Sequence, residues 1–130
     1  MISIPNILSN LRITELNPMQ QKSLESIETT HHVILISPTG TGKTLAFLLP
    51  LIPLLNKNLL GVQALIIVPS RELAIQIESV FKQMGTPFKI NSCYGGHQVR
   101  VEEHNLSQPP AILVGTPGRL GHHIRKNNLD

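Results

Sequence analysis

Aspartate is almost missing from this sequence. The chain has eight carboxylate side chains in 130 residues, and its single aspartate is Asp130, the last residue. No apolar run ends in Asp or Asp-Glu. No stretch therefore supplies the acid that phosphoryl-transfer enzymes place beyond a strand to hold a divalent cation and position water. Cysteine is also scarce. Cys93 stands alone, which excludes an internal disulfide and makes an intracellular setting the simpler reading. Long apolar runs are absent too. The longest, residues 45–55, is too short to cross a bilayer and contains Pro50 and Pro53. The N-terminal residues lack a basic start and carry Pro5, so no secretory leader is expected, and the expected location is cytoplasmic. Neither Asn-Gly nor Asp-Gly occurs, so the commonest hairpin signal is missing. The net charge of +3 and pI near 9.4 are mildly basic, which is compatible with a polyanion partner but weak on its own.

What is present is organised around Ser37-Pro38-Thr39-Gly40-Thr41-Gly42-Lys43-Thr44. An apolar run, Val33-Ile34-Leu35-Ile36, precedes it and an apolar periodic segment follows. Strand, glycine-containing loop and helix opening on Gly-Lys-Thr is an arrangement that holds phosphate. Backbone N–H groups converge on the anion, the lysine adds a point charge, and the threonine hydroxyl can ligate Mg²⁺. Ser37 occupies the position where the strict pattern has glycine. The bland alternative is a chance glycine turn before a helix, and the strand-to-helix context favours the phosphate reading.

Along the chain, residues 2–11 read as a loose helical turn or coil. Asn17 and Pro18 look like the N-cap and first residue of a helix running to about residue 28, with Gln20 placed to close a capping box. Strands are expected at residues 32–36, 63–68, 88–93 and 111–114. The second is a continuous apolar run of the kind buried on both faces, and the third is more polar and nearer an edge. Helices are expected at 43–56 (kinked at Pro50), from Ser70 to about Gly85, at 97–104 and at 119–126. Strand starts lie about 23 to 31 residues apart, which suits helical crossovers rather than hairpins. The expected fold is therefore α/β: one parallel sheet with helices on both faces.

Ligands gather at the carboxyl ends of parallel strands. Four features sit there, each opening a helix: the glycine-lysine loop, Pro69-Ser70-Arg71-Glu72, Gly95-Gly96, and Thr116-Pro117-Gly118-Arg119. One nucleotide needs only the first. Three further anion-friendly helix starts suit a longer polyanion such as a nucleic-acid strand. For Arg71 and Arg119 the bland alternative is pairing with a nearby carboxylate such as Glu72. His31-His32 and His122-His123 lack a supporting Cys or Asp pattern and read as surface or core-edge histidines, so no structural metal is expected. Nothing in the sequence places a base beside Cys93, which reads as structural.

Taken together, this set resembles the first RecA-like domain of DEAD-box RNA helicases from about Ile4 onward. Leu16-Asn17-Pro18-Met19-Gln20 is similar to the end of that family's Q motif. Ser37 to Thr44 is similar to motif I, Pro69-Ser70-Arg71-Glu72-Leu73-Ala74 to motif Ia, and Gly95-Gly96 and Thr116-Pro117-Gly118-Arg119 to the glycine doublet and motif Ib. The resemblance implies that Gln20 reads the adenine edge, although the local sequence supports the capping box equally well. It implies that Thr39, Gly40, Thr41, Gly42, Lys43 and Thr44 hold the ATP phosphates. Lys43 and Thr44 would act in catalysis, and Thr44 would ligate Mg²⁺. Pro69, Ser70, Arg71, Gly95, Gly96, Thr116, Pro117, Gly118 and Arg119 would lie along an RNA backbone without reading its sequence. The Asp-Glu-Ala-Asp motif and the second RecA-like domain do not occur in the chain. The expectation is thus an incomplete RecA-like P-loop domain, residues 1–130, with the Q-motif region at about 4–28, inactive alone and working within an ATP-dependent RNA helicase. The alternatives are a non-catalytic nucleotide- or RNA-binding module and part of a DNA-directed translocase. An exposed, unpaired apolar edge is expected at residues 33–36 if the strands that flank it in related domains are missing.

Overall fold

The computed structural model describes residues 3–38 and 42–129. Its centre is a three-stranded parallel sheet made of β1 (Ala64–Ile67), β2 (Ile90–Cys93) and β3 (Ile112–Gly115), in the order β1-β3-β2. Register is exact across the layer, since Ile67 and Cys93 both pair with Gly115, so the three carboxyl ends are level. β3 is the middle strand, and Ile112, Leu113 and Val114 are wholly buried. The polar third run predicted from sequence is indeed an edge strand, β2. Burial on both faces, expected for the second run, belongs to β3 instead. β1 leaves Leu65 49% and Ile67 62% exposed, beside a gap that Leu113, Ile124 and Leu129 also line.

Helices lie on both faces. The chain begins with α1 (Ile4–Asn10) and α2 (Pro18–Thr29) and continues through α3 (Lys43–Leu51) into a 3-10 turn, Ile52–Leu54. α4 (Arg71–Gln83), α5 (Val99–Ser107) and α6 (Pro117–Arg125) follow β1, β2 and β3 in turn. Leu48, Ile77, Phe81 and Met84 pack with Ile90, Ile112 and Val114 on one face, so α3 and α4 cover it, with Ile7 of α1 at its margin. Leu106 and Leu120 pack with Cys93 and Leu113 on the other, which α5 and α6 cover. Side chains alternate across a strand, so Leu113 serves one layer while Ile112 and Val114 serve the other.

Local signals explain the boundaries. Asn17 caps α2 by accepting from the Gln20 N–H at 2.8 Å, and Gln20 Oε1 accepts from the Asn17 N–H at 3.0 Å, which completes the capping box. Pro50 sits inside α3, and the helix ends one residue later, short of the expected residue 56. Proline has no N–H to donate to the carbonyl four residues back. The buried Ser23 hydroxyl donates to that carbonyl, on Ala46, at 2.7 Å and binds α2 to α3.

The strand expected at residues 32–36 does not form. Among the described strands none pairs with this segment. Exposure alternates along it: Val33 40%, Ile34 88%, Leu35 37% and Ile36 90%. That is the period of a strand with one half-covered face, and the segment lies beside Pro18, Met19, Lys22 and Ser23 of α2 across a shared gap. The predicted apolar exposure is present; the ladder is not.

Candidate functional site

Lys43 and Thr44 open α3, and Gly42 before them caps the helix in the left-handed region, with φ +86°. The positive φ favours glycine there, and a Cβ on Gly42 would lie 2.4 Å from Gln20 Nε2 and displace that amide. Gln20 Nε2 donates to the Gly42 carbonyl at 3.2 Å. Gln20 is thus buried, closes the capping box and ties α2 to the loop, leaving its second amide hydrogen without a partner among the described residues. Lys43 is exposed and Thr44 half-buried on a cleft of about 510 Å³, which Leu11, Ile13, Leu73, Gln76 and Val80 also line. The first-turn N–H groups of α3 have no intrahelical acceptor, so the cleft presents N–H donors, an ammonium and a hydroxyl on an apolar floor. Those are the groups that phosphate and a hard cation need. No carboxylate lies among the described residues lining the cleft. Thr39, Gly40 and Thr41 of the predicted site lie outside the described residues.

The predicted strand-end residues collect along one edge. Ser70 caps α4, its hydroxyl accepting from the Leu73 N–H at 3.3 Å, and Pro69 is exposed before it. Arg71 is exposed and its Nε lies 3.5 Å from Glu72 Oε1, a contact worth little at the surface. Gly96 has φ +91°, and a Cβ there would lie 2.9 Å from Arg71 Nη1, so the β2 turn and the start of α4 touch. Gly95 and Gly118 are exposed with open space where a Cβ would be, so the protein's own packing does not demand glycine at either. Thr116 caps α6 without a side-chain bond, and Pro117 follows, exposed. α4 links the two regions: Arg71 at its start lies on the strand-end edge, while Leu73, Gln76 and Val80 wall the cleft.

Arg119 is placed otherwise than its exposed neighbours. Its Nη1 donates to Glu102 Oε1 and to the His97 carbonyl, both at 3.1 Å. Glu102, wholly buried on α5, is the hub that sequence reasoning missed. Its Oε1 also accepts from His123 Nε2 at 2.7 Å, and its Oε2 accepts from His97 Nδ1 at 2.8 Å and from the Tyr94 N–H at 3.1 Å. A carboxylate only accepts, so His97 carries its hydrogen on Nδ1 and His123 on Nε2. His123 Nδ1 is then the acceptor for the Asn128 amide at 2.9 Å. One carboxylate therefore joins the glycine turn, α5 and α6. The only available signal was a glutamate on a weakly periodic helix, which resembles a solvated one.

Cys93, Glu102 and His123 place ligand-type atoms within 4.8 Å of one another. The Arg119 guanidinium already occupies Glu102, and the cysteine holds its proton. Burial, then the Glu102 charge, push the Cys93 thiol up to about 12; Arg119 offsets part of this and a hydrogen bond to Glu102 adds to it. The group is a hydrogen-bonded brace around an inert thiol.

Residues 17–130 match the family model described as DEAD/DEAH box helicase. The chain is 39% identical over 117 residues to the ATP-dependent RNA helicase CshA of Limosilactobacillus reuteri, covering 88% of this chain and 24% of that protein. It is 34% identical over 126 residues to the ATP-dependent RNA helicase DeaD of Escherichia coli K12, covering 95% of this chain and 20% of that one. The chain thus spans a quarter or less of the length of these curated relatives. A hypothetical ATP-dependent RNA helicase from Sulfolobus tokodaii, known from its crystal structure, superposes with a TM-score of 0.83 at 26% identity, over 98% of this chain and 38% of that one.

Proposed function

This chain belongs to the DEAD/DEAH box helicase family, and we propose that it forms the first part of the ATP- and RNA-binding domain of an ATP-dependent RNA helicase. The observation that carries the proposal is the shared geometry of two sites. A phosphate-type cleft at the start of α3 and a row of helix starts at level strand ends are joined by α4. In this reading residues 39–44 cradle the ATP phosphates, with Lys43 the counter-charge and the Gln20 amide facing the base. The Thr44 hydroxyl would hold Mg²⁺, whose charge neutralises phosphate oxygens. Pro69, Ser70, Arg71, Gly95, Gly96, Thr116, Pro117 and Gly118 follow the sugar–phosphate backbone, where N–H groups and a guanidinium bind without reading bases. Arg119 belongs to the same edge, and its Nη1 also braces it.

ATP binding is proposed to close this edge and a second RecA-like domain around single-stranded RNA, and hydrolysis to release the strand. The acid that positions water would come from outside these 130 residues, so the chain alone is expected not to turn over ATP. No helix among the described residues is long and apolar enough to cross a membrane, and cytoplasmic action is part of the proposal.

The decisive experiment is RNA-stimulated ATPase assay of the full-length protein. RNA is expected to stimulate turnover, and Lys43→Ala to abolish it, with a loss of about 100-fold or more as a transition-state charge contact is removed. Equal stimulation by DNA would replace the RNA assignment with a DNA-directed one. Turnover retained by Lys43→Ala would remove the cleft from the mechanism.

A further inference from the structure

Resting on the nucleic-acid reading of the strand-end edge, we propose that His97 is a further RNA-contact residue, which selects RNA over DNA by accepting a hydrogen bond from a ribose 2′-hydroxyl through Nε2. Three contacts fix the residue. Its Nδ1–H is held by Glu102 Oε2 at 2.8 Å, its carbonyl accepts from Arg119 Nη1 at 3.1 Å, and its ring stacks on Tyr94 with centroids 4.8 Å apart and planes at 23°. The side chain remains 28% exposed, and Nε2 has no partner among the described residues. It directly follows Gly96, whose turn touches the Arg71 guanidinium, in the path proposed for the strand.

The tautomer decides what this nitrogen can bind. With the hydrogen on Nδ1, neutral His97 offers a lone pair at Nε2. Phosphate and ring oxygens of a nucleic-acid backbone only accept, so they cannot pair with it. The 2′-hydroxyl is the backbone group that donates, and it is what distinguishes RNA from DNA. Glu102 is a positioning residue here, since it fixes which nitrogen carries the hydrogen. The charged and titratable groups around the ring are Glu102 on α5, Arg119 on α6, Tyr94 beneath it and Arg71 across Gly96; His123 shares Glu102.

The test is fluorescence anisotropy of full-length protein with labelled short oligouridine strands carrying ribose, 2′-deoxyribose or 2′-fluororibose, with a non-hydrolysable ATP analogue, at pH 8.5. The 2′-fluoro sugar removes the donor while keeping an RNA-like pucker. At pH 8.5 ribose should bind about 3- to 10-fold tighter than either analogue, the size of one net hydrogen bond. His97→Phe keeps the stack and removes Nε2. It should weaken the ribose strand by that factor and leave the deoxy strand unchanged. Ribose-like binding of the 2′-fluoro strand by the wild type overturns the inference without any variant. So does a His97→Phe protein whose ribose-to-deoxyribose ratio matches the wild type, including one that loses both equally. Wild-type binding that ignores the sugar sinks His97 and leaves the nucleic-acid edge standing; no binding of any strand sinks both.

Discussion

Glu102 holds three side chains and a backbone N–H on two oxygens, with no exposure to water. Replacing it with alanine strands the Arg119 guanidinium, whose side chain is only 16% exposed, and orphans the Tyr94 N–H. Breaking a buried pair from one side costs about 3–5 kcal/mol, so Glu102→Ala should shift the urea midpoint strongly, and an unchanged midpoint would contradict the hub. Cys93 gives a pH prediction. The folded chain keeps its thiol proton to about 12, whereas the ordinary value is 9.0. The thiol's contribution to stability is thus complete below 9.0 and is lost as the pH rises toward about 12, because the unfolded chain ionises first. Stability measured across that window should fall less steeply in Cys93→Ala, and native protein should resist thiol alkylation. Gly96 needs φ +91° and sits against Arg71, so Gly96→Ala should cost about 1 kcal/mol or more and displace that guanidinium. The readout is weaker RNA binding with ATP affinity retained.

Elements were legible where one local signal sufficed. Asn17-Pro18 set the start of α2, Ser70 and Gly85 bracketed α4, and the spacing of apolar runs predicted parallel strands. Pairing was less legible, because it depends on what lies beside a run rather than on the run itself. Residues 33–36 and β1 both read in sequence as apolar strands; one is unpaired and the other is half-covered. The candidate site divides in the same way. Its loops were readable as motifs, whereas the Glu102 brace joins Tyr94, Arg119 and His123 through contacts that no local pattern encodes. The α2–α3 contact supplies a prediction at this scale. Ser23 stands in for the N–H that Pro50 lacks, so Ser23→Ala should cost about 1–3 kcal/mol by leaving a buried carbonyl short of a donor. In a Pro50→Ala background, where an N–H returns, the same change should cost less. Equal costs in a double-mutant cycle would show that the two residues are independent.

At the scale of the whole molecule, the two faces of the sheet are unequally covered. Ile34, Ile36, Leu65 and Ile67 are all more than a third exposed, and a gap of about 380 Å³ opens beside β1 between Leu65, Leu113, Ile124 and Leu129. Exposed apolar surface next to an open strand edge favours association. The 130-residue chain on its own should therefore melt broadly at low temperature and bind a hydrophobic dye; a sharp, dye-free transition well above room temperature would contradict this. The parallel ladder has a further consequence, in time rather than in space. Ala64 pairs with Ile112, roughly fifty residues later in the chain. At synthesis rates of about 5–20 residues per second, β1 leaves the ribosome several seconds before the strand it pairs with. During that wait its Ala-Leu-Ile-Ile run has no partner among the described strands, whereas β2 emerges closer in time to β3. Nascent-chain folding should accordingly complete β2–β3 pairing at the same moment that β1 is first captured, and a holdase chaperone acting before residue 112 emerges should raise the yield of folded protein.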